Sequence, residues 1–209
     1  SIDGLIIAGM NFVIEDNEII GNDTALMNGD GIQVLAAASV GASFIRRNVI
    51  THSLDSPKQG IIVAAASGSL LIEDNTVNGG GQSAYSIEIP GAIARRNRAV
   101  MARNAFSVFA SGVKITNNLA SGCDAGVIFT VNAATGAEIY NNTFVADSAM
   151  PNRRGVYNVT AAGLATWTAR NNVFVGFATG VLAQSSAVTT NSNNAFAECD
   201  ASYGGSAAG

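Results

Sequence analysis

The most constraining feature of this sequence is a series of asparagines, each of which follows a short apolar stretch. Successive members lie 21 to 31 residues apart, and they are Asn17, Asn48, Asn75, Asn97, Asn118, Asn142, Asn172 and Asn194. The residue three positions before the asparagine is mostly Ile, and the residue two positions after it is Ile, Val, Ala or Phe. Repeats of this length with fixed apolar positions are typical of a solenoid, whose repeats bury their apolar sides by stacking on one another.

A second repeated feature is a Gly or Ser before a segment of alternating apolar residues, as in Gly31-Ile32-Gln33-Val34 and Gly126-Val127-Ile128-Phe129. Alternation with a period of two predicts strands. Each repeat therefore contains three short strands: one after the Gly, one before the Asn and one after the Asn. We predict an all-β protein, with a parallel β-helix of about eight coils over residues 1–198 and a C-terminal tail over residues 199–209.

The repeated motif resembles that of the right-handed parallel β-helix family, the pectate-lyase-like superfold. The resemblance rests on segments such as Leu71-Ile72-Glu73-Asp74-Asn75-Thr76-Val77 and Ile139-Tyr140-Asn141-Asn142-Thr143-Phe144, and it extends over nearly the whole chain. It implies a right-handed helix. It does not imply one activity, because this superfold includes lyases, hydrolases, epimerases, phage tailspikes and surface proteins.

The repeat also predicts which side chains are buried and what the asparagines do. Asparagine tolerates bends, and stacked amides form hydrogen-bonded ladders, so we expect the series to hold a turn. One buried stack should contain Ile14, Ile45, Ile72, Ile115 and Ile139, and another Phe144, Phe174 and Phe196. Trp167 has the same inward phase.

Two rows of charged residues precede the first four asparagines. Two positions before Asn are Glu15, Arg46, Glu73 and Arg95, and one position before it are Asp16, Arg47, Asp74 and Arg96. Stacked coils would bring opposite charges together at about 4.8 Å. We interpret these rows as a ladder that fixes the register, in which Arg46 lies near both Glu15 and Glu73.

Composition excludes several classes of function. The net charge is −4 and no basic run occurs, so a nucleic-acid partner is not expected. The chain contains no run of 18 apolar residues, so no membrane span is expected. No cluster of aspartates on adjacent coils suggests a calcium site, and we expect neither a metal nor a cofactor.

The outward positions of the strand after Gly form the most informative surface. We predict this row to contain Ile6, Gln33, Ile62, Glu88, Phe109, Ile128, Tyr157 and Leu182. It is mostly apolar, and exposed apolar rows often mark a protein contact. The predicted binding residues are Phe109, Ile128, Tyr157 and Leu182, of which the two aromatic side chains are suited to stack on sugars.

The first functional hypothesis is an extracellular or cell-surface structural module. It would assemble with itself or other subunits through the apolar row or open ends, and it would contact polysaccharide. No capping helix is visible at either end, and solenoid ends need protection from edge pairing. We therefore expect either a fragment of a longer protein or ends that stack on other subunits.

The alternative hypothesis is a polysaccharide lyase or epimerase acting on uronate-containing glycans. It follows chiefly from the family resemblance, because such chemistry needs a base and a cation that neutralises the uronate carboxylate. The candidate catalytic residues are His52, Lys58 and Arg103, on the loops between Asn and Gly. The competing interpretation is that these are solvated loop side chains.

Overall fold

The protein is described by a computed structural model that covers residues 4–9, 11–21, 29–36, 40–52, 58–65, 67–130, 134–147, 152–159, 165–183 and 188–205. The regular elements within these ranges are 25 strands. In chain order they are β1 (Leu5–Ile7), β2 (Val13–Glu15), β3 (Glu18–Ile20), β4 (Ile32–Ala36), β5 (Val40–Arg46), β6 (Val49–Thr51), β7 (Ile61–Ala65), β8 (Gly68–Glu73), β9 (Thr76–Asn78), β10 (Ser83–Ile87), β11 (Ile93–Arg95), β12 (Arg98–Val100), β13 (Asn104–Val108), β14 (Lys114–Thr116), β15 (Leu119–Cys123), β16 (Ala125–Phe129), β17 (Ala137–Tyr140), β18 (Thr143–Ala146), β19 (Arg154–Asn158), β20 (Thr166–Arg170), β21 (Val173–Val175), β22 (Thr179–Ala183), β23 (Val188–Ser192), β24 (Ala195–Ala197) and β25 (Ala201–Gly205).

The strands form three parallel sheets that wind around one core. The first sheet has the order β1-β4-β7-β10-β13-β16-β19-β22-β25, so every third strand is a hydrogen-bonded neighbour. The second sheet runs from β2 to β23 and the third from β3 to β24, each with eight strands spaced in the same way. This arrangement confirms the predicted all-β solenoid of three-strand coils. The tail predicted to begin at residue 199 contributes β25 as the ninth strand of the first sheet, and residues 206–209 lie outside the described part.

The asparagine series forms a continuous ladder of amides, as predicted. From Asn17 to Asn172, each Nδ2 donates to the Oδ1 of the next asparagine, and the backbone N–H of the same residue donates to that Oδ1 as well. For Asn97 the two distances to Asn118 Oδ1 are 3.2 Å and 2.8 Å. Asn97 Nδ2 also donates to the backbone oxygen of Ile72 in the preceding coil, at 2.9 Å. From Asn48 to Asn172 these side chains are buried, so the ladder satisfies polar groups that would otherwise be costly to bury.

The residue before each ladder asparagine has a left-handed backbone conformation. Its φ lies between 54° and 58° at Asp16, Arg47, Asp74, Arg96, Asn117, Asn141, Asn171 and Asn193. Asn adopts this conformation at less cost than most residues with a β-carbon. The first four coils place charged residues there and the last four place Asn, so the same turn is built in two ways.

The predicted inward stacks are confirmed, except that Phe196 in the last coil is only half-buried. The five isoleucines of the first stack are at most 4% exposed, and Trp167 is buried. Phe174 stacks between Phe144 and Phe196, with ring centroids 5.6 Å and 5.4 Å apart. Trp167 stacks on Phe129 at 4.8 Å. The apolar positions of successive coils therefore meet along the axis of the solenoid.

A glycine lies at or just before the start of six first-sheet strands, and it is explained by the atoms that a β-carbon would meet there. A β-carbon at Gly126 would lie 2.5 Å from the backbone oxygen of Gly155 and 2.8 Å from Phe144 Cδ1, and both distances are too short. The fourth coil (β10 to β12) and the fifth coil (β13 to β15) have Ala99 and Ala120 in register with Phe144, so the facing side chain is small there. In those coils the glycine is replaced by Ala84 or Ala105.

The volume missing at Ala99 and Ala120 is filled from the first sheet. Tyr85 and Phe106 point inward in β10 and β13, where neighbouring coils carry Ile or Val. Their rings are fully buried and stack with centroids 5.0 Å apart. The Tyr85 hydroxyl lies within hydrogen-bonding distance of the backbone oxygens of Asn75 (3.0 Å) and Arg98 (2.9 Å), which share its single proton, so the hydroxyl is buried with a partner.

The charge rows stack in register but divide into two clusters. The first charge cluster contains Glu15, Asp16, Arg46 and Arg47, and the second contains Glu73, Asp74, Arg95 and Arg96. Arg46 pairs with Glu15 at 2.6 Å, whereas Glu73 pairs with Arg95 and Arg96 at 2.8 Å and 2.7 Å. The prediction that Arg46 lies near both neighbouring acids is confirmed by the strand register, which places it between Glu15 and Glu73. Its guanidinium pairs only with Glu15, because the Glu73 carboxylate is held by the following coil.

The first testable prediction concerns the amide ladder. Replacing Asn118 by Ala removes the acceptor of both Asn97 donors, which stay buried. Because each unsatisfied buried donor costs about 1–3 kcal/mol, we expect a loss of about 3 kcal/mol or more in the free energy of unfolding, measured by chemical denaturation. The control is Asn117→Gly, which keeps the left-handed turn and should change stability by less than about 1 kcal/mol. Equal effects of the two variants would contradict the assigned role.

A second prediction concerns the pH dependence of the second charge cluster. The hydrogen bond that Arg96 donates to the Asp74 carboxylate lowers the pKa of Asp74 below its ordinary value of 3.8. The resulting stabilisation is present above 3.8 and is lost as the pH falls through the lowered value. Arg96→Asn suits the turn but removes the pair. The variant should therefore melt below the wild type near pH 7, and the gap should close on acidification at low salt.

The control for this experiment is Arg98→Asn, a change of the same kind in the same coil but outside both charge clusters. A gap in melting temperature that stays constant with pH, or that appears equally in the control, would show that the ion pairs do not contribute as described.

Candidate functional site

The outer row of the first sheet differs from the predicted row at two positions. Hydrogen-bond register places Ser86 and Ser107 beside Ile62 and Ile128, so the row contains Ile6, Gln33, Ile62, Ser86, Ser107, Ile128, Tyr157 and Leu182. Glu88 and Phe109 lie two residues farther along the chain. The prediction erred because it matched Ser86 and Ser107 with the glycines, whereas Ala84 and Ala105 occupy those positions.

An open groove crosses this face over four consecutive strands, β10, β13, β16 and β19. Its volume is about 360 Å³. Small side chains form its floor, since Ser86 and Ser107 replace the larger residues that precede and follow them in the row. With strands about 4.8 Å apart, the outer strands of the groove are separated by about 14 Å. Such a length suits an extended ligand that lies along the axis of the solenoid.

The groove is polar over β10 and β13. The Oγ atoms of Ser83 and Ser107 are 2.6 Å apart and share a hydrogen bond, and Asn104 Nδ2 donates to Ser83 Oγ at 3.4 Å. Asn104 is positioned by its backbone N–H, which donates to Gln82 O at 2.8 Å. The polar side chains that line this half are Gln59, Gln82, Ser83, Ser86, Asn104 and Ser107.

The other half of the groove, over β16 and β19, is mostly apolar. Ile128, Tyr157 and Val159 line it, together with Thr130, and Phe109 extends toward it from the end of β13. The guanidinium of Arg154 lies over the Tyr157 ring, 4.9 Å from its centroid, and holds the ring in place. The groove therefore presents hydrogen-bonding groups at one end and an aromatic, apolar surface at the other.

Arg103 lines the groove and is its cationic residue among the described side chains. Its backbone carbonyl accepts from the N–H of Asp124 at 3.0 Å, and the Asp124 carbonyl accepts from the N–H of Arg154 at 3.0 Å, so three successive coils place charges at this edge. Burial raises the pKa of Asp124 and Arg103 opposes that rise. Burial likewise raises the pKa of Tyr157, against the effects of Arg154 and Arg103.

The other predicted site residues lie outside the groove lining. Leu182 continues the row on β22, beyond Tyr157. His52 follows β6, where its backbone N–H donates to Asn78 O at 2.8 Å and its ring lies against Gly21 and Gly31. Lys58 precedes β7. Of the three candidate catalytic residues, only Arg103 reaches the groove, where it joins Phe109, Ile128 and Tyr157.

Comparison with known families decides what this architecture is. A family model described as a right-handed beta helix region matches residues 3–144. The chain belongs to the right-handed β-helix family. No curated protein and no solved structure matches the sequence. Family membership thus agrees with the three parallel sheets and the amide ladder.

Sequence reasoning missed the polar half of this β-helix groove. Gln59, Gln82 and Asn104 lie just before or at the start of first-sheet strands, and no sequence pattern indicates that they meet. The sequence signal that could have placed the serines correctly is the size of the third-sheet residue that faces the glycine position. Ala99 and Ala120 allow alanine to occupy the glycine position of the same coils, and this alignment would have placed Ser86 and Ser107 in the outer row.

Two further observations concern metal ligands and membrane-spanning helices. Within the described ranges, no three His, Cys, Asp or Glu side chains are grouped so that they could hold a metal ion. The same part of the chain has no helix with the length and hydropathy needed to cross a membrane.

A third prediction tests the electrostatics at the edge of the groove. Arg103→Ala removes a positive charge that favours ionised Asp124, so the pKa of the Asp124 carboxyl should rise above its wild-type value. A carboxyl NMR titration measures this shift. Arg98→Ala, in the third sheet, is the control and should leave the titration of Asp124 unchanged. An unchanged Asp124 in the Arg103 variant would rule out the coupling.

Proposed function

We propose that this chain is a β-helix module that binds a linear polysaccharide along the groove of its first sheet. The observation that carries this proposal is the division of the groove into a half lined by amides and hydroxyls and a half lined by Phe109, Ile128 and Tyr157. Ligand sites typically combine apolar walls with a few placed polar groups.

The two halves match the two kinds of surface that a sugar presents. Sugar hydroxyls both donate and accept hydrogen bonds, as do the amides of Gln82, which is exposed, and Asn104, which is half-buried. The Ser83 and Ser107 hydroxyls are buried and bonded to each other in the floor of this half. The apolar faces of sugar rings can pack on aromatic side chains, whose rings are large and rigid. A chain that runs along the solenoid axis would meet both surfaces in succession.

Arg103 gives the proposed site a preference among polysaccharides. A guanidinium forms strong, charge-assisted hydrogen bonds with carboxylates, so a glycan that contains uronate should bind more tightly than a neutral glycan. The proposal includes a location outside the cell or at the cell surface, where such polysaccharides are accessible.

Binding is favoured over cleavage by the residues that line the groove. Among those that the structure describes, none is a carboxylate or an imidazole, the groups that most often transfer protons in catalysis. His52 lies elsewhere. For the lyase or epimerase alternative, the remaining candidate catalytic residues in the groove are therefore Arg103 and Tyr157. An assay for reaction product distinguishes this alternative from binding alone.

The fourth prediction tests the proposed function directly. Affinity electrophoresis of the full chain through gels that contain pectate, alginate, a glycosaminoglycan or a neutral glucan should show retardation by at least one uronate-containing polymer. Tyr157→Ala should weaken that binding about tenfold, equivalent to about 1.4 kcal/mol, because the stacking surface is lost. Arg103→Ala should weaken binding of the uronate polymer more than binding of the neutral one.

The matched control is Tyr140→Ala, in β17 on the outer face of the second sheet. It should bind like the wild type. Absence of binding to every polymer, or equal losses in the Tyr157 and Tyr140 variants, would overturn the proposal. Absorbance of an unsaturated product would instead support a lyase, and an NMR assay would detect epimerisation.

A further inference from the structure

A second surface, on the outer face of the second sheet, has features that the groove does not explain. An apolar stripe crosses its first four strands, formed by residues in register at Val13, Phe44, Leu71 and Ile93. Val13 is 54% exposed, and the other three are half-buried. The stripe ends at the fifth strand, where Lys114 pairs with Glu138 at 3.1 Å.

A charged stripe runs beside the apolar one on the same face. Two residues farther along each strand are Glu15, Arg46, Glu73 and Arg95, also in register. Side chains two residues apart on a strand point the same way and lie about 7 Å from each other. The ion pairs Arg46–Glu15 and Arg95–Glu73 hold these charged groups in order on the face, and Arg46 also packs over the Phe44 ring at 5.5 Å.

The order of charges along this stripe is negative, positive, negative, positive. Read in reverse it becomes positive, negative, positive, negative, so the stripe is complementary to its own antiparallel copy. A two-fold axis parallel to the strands, between β5 and β8, would place Glu15 of one copy against Arg95 of the other. The same axis would place Arg46 of one copy against Glu73 of the other.

That axis also matches the apolar stripe with itself. Val13 of one copy would meet Ile93 of the other, and Phe44 would meet Leu71, so the apolar residues would be covered on both sides. A two-fold axis along the solenoid would instead set each charge against its own kind, which is unfavourable. Isologous interfaces of this sort are the commonest in homo-oligomers.

We propose that two copies of this chain associate face to face through the first four strands of the second sheet, with their solenoid axes antiparallel. The occupant of the apolar stripe is thus a second copy of the chain. The four strands span only about 14 Å, so the interface belongs to the small class typical of transient complexes. The groove of the first sheet lies on another face, and this proposal does not rest on polysaccharide binding.

Sedimentation velocity over a concentration series tests the proposal. The wild-type chain should form a dimer at low salt, more weakly at high salt. Arg95→Glu should raise the dissociation constant at least about tenfold, because the introduced carboxylate of each copy then faces Glu15 of the other at both ends of the interface. Glu15→Arg should do the same by setting two guanidinium groups against each other.

Mixing the two variants separates an interface from a simple loss of stability. In a mixed dimer, the carboxylate introduced by Arg95→Glu faces the guanidinium introduced by Glu15→Arg. At the other end of the interface the unchanged Glu15 faces the unchanged Arg95, so association should return in the mixture. The matched control is Arg170→Glu, a change of the same kind in the same outward row on β20 but outside the four strands. It should dimerise like the wild type.

Three outcomes would overturn the proposal. They are a monomeric wild type at every concentration in low salt, an Arg95 variant that dimerises as well as the control, and a mixture that stays monomeric although circular dichroism shows both variants to be folded.

Discussion

The column of asparagine amides is the interaction on which the rest of this structure depends. Every ladder amide from Asn48 to Asn172 satisfies donors and an acceptor in the buried turn, and it does so by bonding to the coils on both sides. A shift of one residue in any strand would break these bonds and turn the apolar side chains outward. The ladder therefore fixes the register of all three sheets, and through them the position of each surface row.

Both candidate surfaces are consequences of that register. The groove exists because Ser86 and Ser107 are aligned with larger residues in neighbouring coils, and the charged stripe exists because Glu15, Arg46, Glu73 and Arg95 are aligned with one another. Because the coils stack in parallel at a constant spacing, residues at equivalent positions of the repeat lie side by side and form continuous rows on the surface. The proposed functions differ because hydroxyls, amides and aromatic rings line the groove of the first sheet, whereas the second sheet carries aliphatic and charged groups on its outer face.

The sequence predicted the fold well because its signals are local and repeated. The apolar positions around Asn48 or Asn142 specify a bend between two short strands wherever they occur. The candidate site was predicted only in part, since Phe109, Ile128, Tyr157 and Arg103 meet but His52 and Lys58 lie elsewhere. The position of Ser86 depends on whether residue 84 or 86 occupies the glycine site, and that choice depends on the size of Ala99 across the core. The ion pair between Arg46 and Glu73 does not form for a similar reason. A long side chain such as Glu73 can turn toward either neighbouring coil, and here it turns toward Arg95 and Arg96.

In the middle of the solenoid, large side chains of the first sheet fill the core where the third sheet has alanine. This arrangement restricts how such a chain can evolve by duplicating or deleting coils. The last three coils place Phe144, Phe174 and Phe196 opposite Gly126, Gly155 and Gly180, so they could be copied or exchanged with little change in shape. Coils four and five are different, because Tyr85 and Phe106 fill the space that Ala99 and Ala120 leave. Moving either coil to another place would set a large ring against a full core or leave a cavity. We therefore expect these two coils, whose strands form the polar half of the groove, to be kept together, and coils to be gained or lost more easily toward either end.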